Sequence, residues 1–88
     1  MRILLKLYAT LTDHLPRDSE GRKPAHNQIT LEVPEGSDVQ SVIDLFNLPP
    51  RLVHLVLVNG VYVAPLTRSA HRLNPDDTLA IWPPIAGG

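Results

Sequence analysis

Cysteine is absent from the 88 residues, which excludes disulfides, thiolate metal sites and thiol nucleophiles together. An excess of either charge is also missing. Eight Lys and Arg stand against nine Asp and Glu, for a net charge of −1, and the longest cationic cluster is Arg22-Lys23, close to Glu20. Nothing resembles the basic stripe that nucleic-acid binding requires. Long apolar runs are lacking as well. Lys6 breaks the run Ile3-Leu4-Leu5 and no small-residue cleavage site follows, so the N-terminus does not read as a secretory signal. No stretch approaches the ~20 apolar residues of a membrane span. The expected setting is soluble and cytoplasmic. A hydrophobic content of 43% with 19% charged residues is that of a globular chain. At this size folding buries roughly 60 to 65% of the unfolded surface. One domain is expected over residues 1–84, followed by a flexible tail over 85–88.

The common catalytic arrangements are missing too. There is no Gly-x-Ser-x-Gly and no Gly-rich phosphate loop ahead of a helix. His14, His26, His54 and His71 fall in separate segments without metal-ligand spacing and read as surface or loop histidines, so no metal is expected. Asp76-Asp77 follow Asn74-Pro75 and read as turn formers, not as an acid pair. No catalytic side chain of its own is expected.

What is present is a clear strand and helix pattern. Residues 2 to 8 alternate, with Ile3, Leu5 and Leu7 on one side and Arg2, Leu4, Lys6 and Tyr8 on the other. Residues 12 to 27 lose periodicity, carry Pro16, Gly21, Pro24 and Asn27, and read as a mobile, charge-balanced surface loop. Ile29, Leu31 and Val33 alternate with Thr30 and Glu32 as a second strand. Ser37 is placed to begin a helix in a capping box with Gln40, and Val39, Val42, Ile43 and Phe46 form its buried stripe. Asn47 and Pro49-Pro50 stop it. A third strand is expected over 53 to 58. Asn59-Gly60 then makes a tight hairpin turn into Val61-Tyr62-Val63, because both turn positions favour positive φ. The last strand is Thr78 to Trp82. The order β-β-α-β-β-β predicts an α+β layer with one helix across a mixed sheet, and it is the order of the β-grasp, or ubiquitin-like, fold.

The C-terminus, Ile85-Ala86-Gly87-Gly88, offers the chemistry that the body lacks. With Gly at about 7% of residues, two in the closing positions arise by chance in about one chain in two hundred. A carboxylate on a tail without side chains can thread a narrow active site where a β-carbon would collide. Pro83-Pro84 ahead of it are stiff and extended, and would hold the tail off the body.

Leu73, Asp76-Asp77, Leu79, Ile81 and the run Pro83-Pro84-Ile85-Ala86-Gly87-Gly88, preceded by Val56-Leu57-Val58-Asn59-Gly60, resemble the MoaD/ThiS family of ubiquitin-like sulfur carriers. Within it the likeness is to the small subunit of molybdopterin synthase, and it covers nearly all of the chain except residues 12 to 27. The resemblance implies that an activating enzyme of the ubiquitin-activating type uses ATP to adenylate the Gly88 carboxylate. A sulfur donor would then convert the acyl-adenylate to a thiocarboxylate, which passes its sulfur to an acceptor held by a synthase subunit. The carrier itself would hold no cofactor permanently and would act only with partner enzymes. Pro83-Pro84 match the molybdopterin branch, whereas the long first loop departs from the compact carriers. Thiamine or tRNA thiolation, conjugation of Gly88 to other proteins, and a non-covalent β-grasp interaction domain are the alternatives.

Strand alternation adds a separate expectation. If Leu5, Leu7, Ile29, Leu31, Leu55, Leu57, Leu79 and Ile81 pack on the helix, the other face carries Leu4, Lys6, Tyr8, His54, Val56, Val58, Ala80 and Trp82. An open sheet face is ordinarily mostly polar, and an apolar one marks a partner site. Leu4, Lys6, His54, Val56, Val58, Ala80 and Trp82 are therefore the expected partner-binding residues, unless loop 12 to 27 folds over them.

Overall fold

The computed structural model describes residues 1–84. Strand β1 spans Arg2–Leu7, β2 Gln28–Glu32, β3 Leu55–Val58, β4 Val61–Tyr62 and β5 Thr78–Trp82. Helix α1, Val39–Leu45, lies between β2 and β3 and is the one α-helix among the described residues. The strands form a single sheet in the order β2-β1-β5-β3-β4. β1 pairs antiparallel with β2 and parallel with β5, while β3 is antiparallel to both β4 and β5. The mixed sheet with one helix is the expected β-grasp arrangement, and it puts the last strand in the middle.

Register explains the core. Leu5 lies beside Leu79 and Leu7 beside Ile81, while Val56 lies opposite Ile81 and Val58 opposite Leu79. These six side chains point to the helix side and join Val39, Val42 and Ile43 in one buried cluster. Each fully buried Leu, Ile or Val stabilises the fold by roughly 1.5 to 3 kcal/mol. The expected stripe of α1 is therefore present, with Phe46 half-buried at its C-terminal boundary.

The start of α1 differs from the expected capping box by one residue. Asp38, not Ser37, is the N-cap, and its carboxylate accepts from the Ser41 amide at 2.8 Å. Ser37 Oγ donates to the Pro34 carbonyl, and Gln40 Nε2 reaches forward to Asp44 instead of back. The reason is tertiary. The amides of Val39 and Gln40 donate to the carbonyls of His71 and Arg68 at 3.0 and 3.2 Å, so a neighbouring segment satisfies N–H groups that a helix start leaves open.

The segment expected as a surface loop is tied down where it begins. Ala9–His14 form a 3-10 turn, and Leu11 and Leu15 are buried in the core. Beyond them the chain is largely exposed. There the Asp18 carboxylate accepts from the amides of Glu20 and Arg22 and from Arg22 Nε at 2.8 to 2.9 Å. β3 begins at Leu55, two residues later than expected, because Pro50–Leu52 form a 3-10 turn before it.

Candidate functional site

The outer face of the sheet is built around Trp82, the last residue of β5. Its indole stacks on the ring of Tyr8, with centroids 4.2 Å apart and planes 3° from parallel. Backbone bonds fix both flanks. The Tyr8 amide donates to the Ile81 carbonyl at 3.1 Å, and the His54 amide donates to the Trp82 carbonyl at 3.0 Å. Leu55 lies opposite Trp82 on β3. The next row across the sheet runs Lys6, Ala80, Leu57 and Tyr62. Ala80 is buried although it faces outward, since larger side chains flank it on both sides. Leu4 lies beside Thr78 in a third row.

Five of the seven expected contact residues lie on the outer face or border it, although Ala80 is buried there. Leu4, Lys6, Ala80 and Trp82 share the outer face. His54 is exposed but precedes β3, next to the root of the tail. Val56 and Val58 are corrected: both are buried, at 0% and 5% exposure, on the helix side. Leu55 and Leu57 occupy the outer positions instead and are half-buried. A shift of one residue in phase exchanges the two faces of a strand. Tyr62, 55% exposed, was also not anticipated on this face. The Asn59-Gly60 turn was the signal for it, since a two-residue hairpin aligns Tyr62 with Leu57. The loop does not bury the face: Leu4, Lys6, Tyr8 and Trp82 stay partly exposed, while Leu11 and Leu15 enter the core.

Gly88, Gly87, Ala86 and Ile85, the expected reactive end, lie outside the described residues. Their point of departure is described. Trp82 is followed by half-buried Pro83 and exposed Pro84, so the chain leaves the middle strand of the sheet at the edge of the stacked aromatic pair.

Arg68 is a buried charge that the sequence did not flag. It is 6% exposed, and its guanidinium donates to the carbonyls of Val63, Val53 and His54 at 3.4 to 3.5 Å. Burial lowers its pKa from the ordinary arginine value, yet an arginine remains protonated in a protein. It lines a cavity of about 90 Å³ with Gln40, Asp44 and Val53 on the helix side, away from the outer face. It ties the two residues just before β3 to the one just after β4. Among the described residues no group of three or more His, Asp or Glu could hold a metal ion, and no helix is long and apolar enough to cross a membrane.

A family model described as the ThiS family matches residues 19–88, more than half of the chain. No curated protein matches it. Among solved structures it is similar to SAMP1 from Haloferax volcanii, at 20% identity over all of both chains with a TM-score of 0.65. It is similar to the HVO 2177 protein of the same organism, at 26% identity over all of this chain and 87% of that one, with a TM-score of 0.72. A candidate molybdopterin converting factor, subunit 1, from Pyrococcus furiosus matches at 18% identity over 97% and 99% of the two chains, with a TM-score of 0.67.

Proposed function

Because the chain belongs to the ThiS family, we propose that it is a sulfur carrier whose reactive group is the carboxylate of Gly88. The observation that carries this reading is the family match through the closing Gly87-Gly88. It gains support from a fold that places the root of that tail on the middle strand, beside an apolar face. Family membership supports a ubiquitin-like carrier or modifier. Pro83-Pro84 and the rest of the C-terminal motif favour the finer reading, a thiocarboxylate that serves a molybdopterin-like pathway.

The chemistry needs activation from outside. A carboxylate is a poor electrophile, so a partner enzyme of the ubiquitin-activating type first joins it to AMP from ATP, releasing pyrophosphate. A sulfur nucleophile then attacks the acyl carbon, AMP leaves, and the terminal C–O bond is replaced by C–S. The thiocarboxylate sulfur finally bonds to an acceptor on a synthase subunit, and water cleaves the acyl C–S bond and restores the Gly88 carboxylate. The chain contributes the reactive end and a handle: activating and sulfur-using enzymes dock in turn on Leu4, Leu55, Leu57, Tyr62 and Trp82. Trp and Tyr are frequent anchors of such contacts.

Intact-mass measurement of the protein from its native host tests the reading. A sulfur-for-oxygen gain at the C-terminus is the expected result. Attachment to another protein would make it a modifier, and an unmodified carboxylate in cells with active sulfur transfer would overturn both.

A further inference from the structure

The outer face divides into two halves of different character. β5, β3 and β4 present Trp82, Leu55, Leu57 and Tyr62, whereas β2 presents Gln28, Thr30 and Glu32. Lys6 stands on β1 at the boundary, with Gln28 beside it on one flank and Ala80 on the other. The other charges of this face pair with each other: Arg2 Nε lies 3.4 Å from Glu32. Among the described residues Lys6 has no hydrogen bond or ion pair, unlike Arg22 and Lys23, which bond to Asp18 and Asp13. It is nonetheless half-buried, beside the buried Ala80. A partner that closes over the apolar half takes water from this ammonium. A charge removed from water without a counter-charge is strongly unfavourable.

We propose that the adenylating enzyme presents a carboxylate to Lys6, at the border between its own apolar contact surface and a polar rim. This deepens the docking reading above and rests on it. The single cation also fixes orientation. An apolar patch alone can be met in several rotations, whereas one carboxylate held to Lys6 on the β1 side restricts them. Charge complementarity of this kind sets register and encounter rate more than it sets total affinity.

The test is calorimetric titration of the whole chain with the adenylating enzyme of its own host, from about 0.01 to about 0.15 M ionic strength. Four proteins are compared: the parent, Lys6→Met, Lys6→Glu and Trp82→Glu. Methionine keeps an unbranched apolar stem and removes the charge. Lys6→Met should bind about tenfold more weakly and lose most of the salt dependence, and Lys6→Glu should bind about a hundredfold more weakly. Unfolding curves of each variant establish that the fold is kept. If Lys6→Met binds like the parent while Trp82→Glu is weakened, the lysine extends past the contact to water and the inference fails with the docking face intact. If neither Lys6→Met nor Trp82→Glu changes binding, the docking face itself is wrong, and the inference falls with it.

Discussion

Asn59 and Asp77 lock two turns together across 18 positions of sequence: Asn59 Nδ2 donates to Asp77 Oδ1 at 2.8 Å. The same Asn59 side chain accepts from the Thr78 amide through Oδ1, and the second carboxylate oxygen of Asp77 accepts from the Asn74 amide, both at 2.8 Å. Asn59 also supplies the positive φ of the hairpin, 51°, ahead of Gly60. Asp77 is thus a nearly buried latch that holds β5 beside the β3–β4 hairpin. Asp77→Ala strands two donors and should destabilise the fold by about 1 to 3 kcal/mol. Urea unfolding checks this, with an unchanged slope expected. A loss below about 0.5 kcal/mol, the range of an ordinary surface substitution, would deny the latch its role.

The phase of β3 yields a second prediction, because Val56 and Leu57 are neighbours with opposite surroundings. Val56 is fully buried against Ile81, and Leu57 lies on the outer face between Ala80 and Tyr62. Val56→Ala should cost about 2 to 3 kcal/mol through lost burial and an unfilled space. Leu57→Ala should cost under about 1 kcal/mol yet weaken partner binding. Reversed stabilities, read from the same unfolding experiment, would put the leucine inside and the valine outside.

That phase is also where the sequence was least legible. β1 carries Lys6 and β2 carries Thr30 and Glu32, so alternation alone shows which side of each meets water. β3 reads Leu55-Val56-Leu57-Val58 with no polar residue to mark a side. The nearest mark, His54, precedes the strand and is exposed at its end, and counting from it by twos leads to the wrong face. The succession of strands and helix along the chain, the helix stripe and the Asn59-Gly60 turn depend on local spacing and were readable, whereas the sheet order, with β5 between β1 and β3, rests on pairings far apart in sequence. The helix cap and the Arg68 bracket depend on contacts with residues 68–73 or with carbonyls far along the chain. No local pattern encodes those.

Acid should loosen the exposed loop without dissolving the fold. The Arg22 amide, first among several donors, holds the Asp18 carboxyl below the usual carboxylate range, and the hydrogen bond and charge of Lys23 do the same for Asp13. Both pKa values are depressed in the folded chain. Their contribution is therefore complete above the ordinary value of about 3.9 and is lost as pH falls through the lower folded value. The Arg22 amide resonance and its exchange rate, followed from neutral pH downward, should change only below that ordinary value. Leu11 and Leu15 should stay buried throughout. A midpoint at or above the ordinary value would show that the carboxylate of Asp18 is not held as described. Asp18→Asn should abolish the transition.

The last prediction separates a carrier from an interaction domain that merely ends in glycine. Adenylation requires the carboxylate at one place in the partner's active site, whereas docking on Trp82 and Leu57 does not involve it. Appending one alanine after Gly88 moves the carboxylate by a residue and adds a β-carbon to a tail that has none at its last two positions. Displacement of a reacting group by even 1 Å can lower a rate by about 100-fold, so ATP–pyrophosphate exchange stimulated by the chain should fall at least that far. Affinity for the enzyme should change by less than about tenfold, or about 1.4 kcal/mol, because the sheet face is untouched. Equal exchange by the extended and parent chains would remove the carboxylate from the chemistry. Equal binding with exchange lost assigns the two tasks to different parts of the molecule: recognition to the outer face, and reaction to Gly88.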